Sequence, residues 1–191
     1  MKLIAPTDKV EFTAHDIHGV EINLSDYQGK AVILSFFRNT PCPFCLSRVF
    51  DLSVRQQRWR RAGVEVIAVF TSSVEEATSF HKNKFERLRV IADPELQIYN
   101  KYGIEKSTSG FFKGLILKIP TIIKGLIKGG NLDKNNIHGT IIPADFLIDH
   151  NGLIIDSWYG RNAGDNIPMH RIHDFVKNMS MKNVNSLAKA S

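Results

Sequence analysis

The chain contains two cysteines, Cys42 and Cys45, in the segment Phe36-Phe37-Arg38-Asn39-Thr40-Pro41-Cys42-Pro43-Phe44-Cys45. Thiols separated by two residues can close a small disulfide ring. A cysteine at a helix start also meets unpaired backbone amides and the positive end of the helix dipole, which favour thiolate over thiol. A free cysteine titrates near ~8.5, and helix N-termini and Cys-x-x-Cys pairs lower this to roughly 3.5–7.5, so Cys42 is expected to be largely thiolate at neutral pH. Pro43 suits the first turn of such a helix, where its missing N–H costs nothing. Arg38 before the pair and Arg48 after it can stabilise the anion by charge, and Thr40 is near enough along the chain to donate a hydrogen bond to it.

Other chemical groupings are weaker. His170 and His173 would complete a Cys2His2 zinc set with the two cysteines, but their spacing is short for a helical ligand pair, and they read as surface or packing residues. No metal site is therefore expected. Asp145 and Asp149 share a strand face, yet they read as sheet-edge or turn residues rather than an acid–base pair.

The elements that must position the cysteines are legible from periodicity. Ala31–Phe37 is a continuous apolar run suited to a strand covered on both faces. Leu46, Val49, Phe50 and Ser53 then follow Pro43 at helical spacing as far as Gly63. The dithiol therefore falls where a central strand gives way to a helix. Val64–Phe70 is a second buried strand, and Ser72 or Ser73 can cap a helix carrying Ala77, Phe80 and Phe85. Leu88–Ala92 reads as a short strand, and Asp93-Pro94 begins a helix that Gly103 stops. This alternation of strand and helix implies parallel pairing. Upstream, Val10–Ala14 and Val20–Asn23 flank His18-Gly19 as a hairpin. Downstream, two strands flank His150-Asn151-Gly152, where Asn-Gly is a strong hairpin signal. A helix over Pro168–Met179 follows, with a polar tail from Met181 expected to fray.

Composition bounds the function. Apolar residues make up 43% and charged residues 23%, so a folded globular chain is expected. The formal charge of +6 comes without a single basic run interleaved with aromatics, and no nucleic-acid partner is inferred. The arginines that crowd the helix after the cysteines (Arg55, Arg58, Arg60 and Arg61) read as a solvated face. Neither a secretory signal nor a run of ~20 apolar residues is present, which makes a cytoplasmic location the default expectation. There, two close cysteines are more often catalytic than a structural staple.

The pattern resembles the AhpC/TSA peroxiredoxin-like branch of the thioredoxin superfamily. The resemblance covers roughly residues 3–103 and 140–178. It rests on Asp16-x-x-Gly19 with Leu24-x-x-Tyr27-x-Gly29-Lys30, on the strand running into Cys42-Pro43-Phe44-Cys45, on Ala92-Asp93-Pro94 with Tyr99-x-x-Tyr102-Gly103, and on Phe146-Leu147-Ile148-Asp149-x-Asn151-Gly152. It implies an α/β thioredoxin-like three-layer fold: a central mixed sheet flanked by helices, an N-terminal β-hairpin, and an insertion at 105–140 before the late antiparallel hairpin. One domain would span 1–180, with 181–191 as the tail.

The resemblance further implies that Cys42 attacks a peroxide or a disulfide and that Cys45 resolves the product. Pro143 would be the cis-proline that such proteins place beside the cysteines. No bound organic cofactor is implied, and electrons would come from a thiol donor such as thioredoxin or glutathione. The sequence departs from the family's Pro-x-x-x-Thr/Ser-x-x-Cys pattern: counting back from Cys42, Asn39 stands at the hydroxyl position. Arg38 or Arg161 would have to supply the peroxide-orienting charge. A thioredoxin-like disulfide oxidoreductase without peroxidase activity and a redox-sensing module without turnover are the competing readings.

Within the insertion, apolar residues from Phe111 to Ile127 recur near helical spacing and lysines interrupt them. Two short amphipathic helices divided or kinked at Pro120 are expected. They would cover the body or a homodimer partner, or make a peripheral membrane contact through 108–130.

Overall fold

A computed structural model describes residues 1–40, 42–81, 88–104, 119–127 and 141–190, with backbone alone at 119, 121, 122, 125 and 182–190. Its centre is strand β4 (Ala31–Phe36), every residue of which is buried. Alternate side chains feed two cores: Ala31 and Ile33 point to one, Val32, Leu34 and Phe36 to the other. The unbroken apolar run is thus the signature of a strand covered on both faces.

Helix α1 (Pro43–Arg61) leaves the carboxyl end of β4 and returns the chain to β5 (Val64–Phe70), which pairs parallel to β4. Gly63, at φ 79°, takes the left-handed position that ends α1. Helix α2 (Val74–His81) starts where Ser73 Oγ accepts the Glu76 amide at 3.2 Å, so Ser73 rather than Ser72 makes the cap. Strand β6 (Arg89–Ala92) pairs parallel to β5. Asp93 then receives the amides of Gln97 and Ile98 at 2.9 and 2.7 Å, fixing the start of α3 (Gln97–Lys101).

The late hairpin of β7 (Ala144–Ile148) and β8 (Leu153–Tyr159) lies on the other side of β4, with β7 antiparallel to it. A two-residue strand that sequence periodicity did not reveal, β1 (Thr7–Asp8), adds to β8 and completes the order β1-β8-β7-β4-β5-β6. Strands β2 (Thr13–His15) and β3 (Glu21–Asn23) form the expected N-terminal hairpin as a separate ribbon. On one face of the sheet, α1 and the final helix α5 (Met169–Ala190) bury Leu46, Leu52, Trp59, Ile172 and Phe175. On the other, α3 contributes Ile98 and Tyr99, β3 contributes Ile22, and Phe12 joins them from just before β2. The result is the three-layer α/β architecture with a mixed central sheet that the resemblance implied, and the sheet has six strands.

Two expectations are corrected. The Ile142–Pro143 bond is not cis; among the described residues the cis bond is Ala5–Pro6. The tail does not fray from Met181, because no glycine or proline interrupts residues 169–190 and the helix runs through Ala190. Within the insertion, helix α4 (Ile119–Ile127) carries Pro120 in its first turn, where its missing N–H costs nothing. The helix expected before it, the segment after it, and Phe85 lie outside the described residues.

Candidate active site

Beyond β4 the chain keeps close to β5. The Phe37 amide donates to the Val69 carbonyl and the Thr71 amide donates to the Arg38 carbonyl, each at 2.8 Å. Thr40 is anchored in the same way, its amide 3.1 Å from Ser72 Oγ and its hydroxyl 3.1 Å from that same oxygen. From the opposite face Tyr99 on α3 reaches the carbonyls of Phe37 and Val69 with its hydroxyl. Backbone and side-chain hydrogen bonds thus hold the loop before the cysteines from two directions. A buried loop has to satisfy its polar groups in this way.

Cys42 stands at the N-cap of α1 with extended backbone (φ −63°, ψ 124°), and the Leu46 amide donates to its carbonyl at 2.9 Å. Cys45 lies in the first turn, and both residues are free thiols. Cys42 is 0% exposed and Cys45 6%, so both residues are buried. Burial alone would raise the Cys42 thiol. Hydrogen bonding with the Cys45 thiol, the charge of Arg38 and the amides of Cys45 and Phe44 outweigh it and bring Cys42 down to about 6. Burial pushes Cys45 well above the ordinary thiol range, and its hydrogen bond to Cys42 and the Cys42 charge add to the rise. One thiol is therefore an anion at neutral pH and its neighbour remains protonated.

Arg38 is buried and its charge acts on both cysteines. Arg161, the other arginine considered for the site, is instead exposed and ion-paired to Asp165 at 3.3 Å. Arg48 does not serve the thiolate. Its guanidinium donates to the Ile167 carbonyl at 2.8 Å, contacts Met169 Sδ at 2.7 Å and faces the charge of Asp145, tying α1 to the segment before α5. Pro43 occupies the first position of α1. Pro143 is buried just ahead of β7, whose first residue pairs with Phe36, so it lies beside the loop that leads to Cys42.

Sequence reasoning missed the polar centre beneath α1. Asp145 is 1% exposed on an interior strand and not at a sheet edge. Its carboxylate accepts the Ser35 hydroxyl at 2.6 Å and the Ile167 amide at 3.0 Å. The available signal was an acidic residue inside an otherwise apolar strand, which needs a buried partner. Asp149 is a turn residue, accepting the amides of Asn151 and Leu153. His170 and His173 are exposed on α5, where the His173 ring meets Trp59 edge-on at 6.2 Å. Among the described residues no group of three or more His, Cys, Asp or Glu side chains is arranged to hold a metal ion.

A mixed sheet with helices on both faces and a Cys-x-x-Cys pair opening the first long helix defines a thioredoxin-like protein. Residues 6–157 match the AhpC/TSA family, and the chain belongs to that family. It is 26% identical to peroxiredoxin Bcp of Escherichia coli over 102 residues, which cover 52% of this chain and 65% of that protein. It is also 27% identical to the thiol-disulfide oxidoreductase ResA of Bacillus subtilis over 119 residues, covering 60% of this chain and 66% of that one. The chain thus spans about two thirds of the length of either relative. Among solved structures, a cysteine-to-serine mutant of PrxQ from Xylella fastidiosa superposes with a TM-score of 0.65 at 13% identity, over 95% of this chain and 99% of that one. The likeness to that structure concerns the fold.

Proposed function

We propose that this protein is a thiol-dependent oxidoreductase that reduces peroxides or disulfides through Cys42 and Cys45. The observation that carries the reading is the opposite tuning of two adjacent thiols, one brought down to about 6 and the other raised. A nucleophile has to be ionised before it attacks; a resolving thiol need not be.

With a hydroperoxide, the Cys42 sulfur attacks an oxygen, the O–O bond breaks, and the leaving oxygen takes a proton to become an alcohol or water. Cys42 is left as a sulfenic acid. The Cys45 sulfur then displaces water from it and forms the Cys42–Cys45 disulfide. Two electrons from a thiol donor such as thioredoxin or glutathione restore both thiols. With a disulfide, Cys42 attacks one sulfur, the other leaves as a thiolate, and Cys45 releases the product by forming the same internal disulfide. The complete burial of Cys42 favours a small peroxide, because a protein disulfide must bring its own sulfur to an exposed face. Thr40 supports the loop through Ser72, and Arg38 is the charge that supports the anion.

Steady-state turnover tests the proposal. The full chain with a recycling thiol donor is expected to consume peroxide, or a small disulfide, continuously. One stoichiometric oxidation followed by no further consumption with any donor would overturn it in favour of a redox sensor.

A further inference from the structure

Tyr99 enters the site from α3, in the layer opposite α1. It is fully buried, and its ring meets Phe36 edge-on at 5.0 Å, which fixes the direction of the phenol. The hydroxyl donates toward the carbonyls of Phe37 and Val69, the latter at 2.8 Å. Burial, with the charges of Asp93 and Cys45 adding to it, keeps the phenol protonated well beyond the ordinary range, so the oxygen always carries the proton it donates.

The Phe37 carbonyl shares a peptide unit with the Arg38 amide. In a trans peptide the C=O and N–H point in opposite directions, so a donor that grips the oxygen also sets the direction of the N–H. That N–H is a hydrogen-bond donor to the Cys45 sulfur. Cys45 in turn donates its S–H to the Cys42 thiolate. Three donors thus run in one direction, from Tyr99 O–H through Arg38 N–H to Cys45 S–H. Hydrogen bonds in such a chain polarise one another, and an amide whose oxygen accepts a proton is a stronger donor at its nitrogen. The charged groups that act on the chain are Arg38 and the Cys42 anion at Cys45, and Asp93 at Tyr99, where its carboxylate also accepts amides of α3.

We propose that Tyr99 is a positioning residue for Cys45: its hydroxyl holds and polarises the Phe37–Arg38 peptide, whose N–H steadies the sulfur that closes the disulfide. It rests on the reading of Cys45 as the resolving thiol. In the closing step after a peroxide, Cys45 loses its proton and its sulfur attacks Cys42 Sγ. The S–O bond of the sulfenic acid breaks, and the departing oxygen takes the proton as water. Negative charge gathers on Cys45 as its proton leaves, so a donor aimed at that sulfur counts in this step. In the first attack the charge instead leaves Cys42, which has the helix-start amides and Arg38.

Mixing the reduced full chain with one equivalent of hydrogen peroxide or of a small disulfide, quenching at intervals and measuring intact mass separates the two steps. In Tyr99→Phe, closure of the Cys42–Cys45 disulfide should slow about fivefold, the effect of one hydrogen bond. The first attack should slow less, and the pH profile of closure should move upward. Tyr102→Phe removes the buried hydroxyl at the end of α3 that donates to the Val10 carbonyl at 2.8 Å, and should keep the parent ratio of the two rates. Unchanged closure in Tyr99→Phe, equal slowing of both steps, or the same effect in Tyr102→Phe would overturn the proposal while leaving the enzymatic reading intact. A parent chain that reacts with neither substrate would overturn both.

Discussion

At the scale of single residues, the chemistry turns on which sulfur carries the negative charge. Cys42 and Cys45 differ by one turn of helix and both feel the Arg38 charge, yet Cys42 also has the Cys45 thiol and the amides of the helix start on its side, whereas Cys45 is raised by burial and has an anion for a neighbour. The alkylation rate of Cys42 follows its thiolate fraction, so it should rise with pH through about 6 and level off above. Arg38→Met removes a favourable charge and should move that midpoint upward by about 1–3 pH units. Rate measurements with iodoacetamide, with the labelled cysteine located by peptide mass, check both. An unchanged midpoint in Arg38→Met would remove Arg38 from the site. The pair itself was legible from sequence, because residue type and spacing suffice. Choosing Arg38 over Arg48 and Arg161 was not, because it depends on side-chain direction at the end of β4.

At the scale of elements, β4, α1 and β5 were legible because each has a strong local period or an unbroken apolar run. Strand β1 was not: two residues carry no period, and they are held by partners near the other end of the chain, Ile154 and Leu153. The polar centre under α1 was hidden for the same reason, since Ser35 and Asp145 lie 110 positions apart and meet only when β7 pairs with β4. Asp145→Ala would leave the Ser35 hydroxyl, the Ile167 amide and the Arg48 charge without their buried acceptor. Breaking a buried charge arrangement costs about 3–5 kcal/mol, and urea unfolding of this variant should show a loss of that size. A loss below about 1 kcal/mol would mean that water replaces the carboxylate. The length of α5 went unread because its polar composition suggested fraying, while the absence of glycine and proline lets the helix continue.

At the scale of the whole molecule, the sheet places the dithiol at the carboxyl end of its central strand, with α1 and α4 packed beside it. Membership of the AhpC/TSA family fits this frame, and the chain carries Cys42 and Cys45 at the start of α1 within the matched residues. The proposed chemistry therefore depends on a division of labour between two sulfurs. The most direct test is a single-turnover reaction of reduced Cys42→Ser and Cys45→Ser with peroxide and with a small disulfide, followed by intact mass. Cys42→Ser should be inert to both. Cys45→Ser should complete one attack and stop as a sulfenic acid with peroxide, or as a mixed disulfide with the disulfide. A full first turnover by Cys42→Ser would contradict the account.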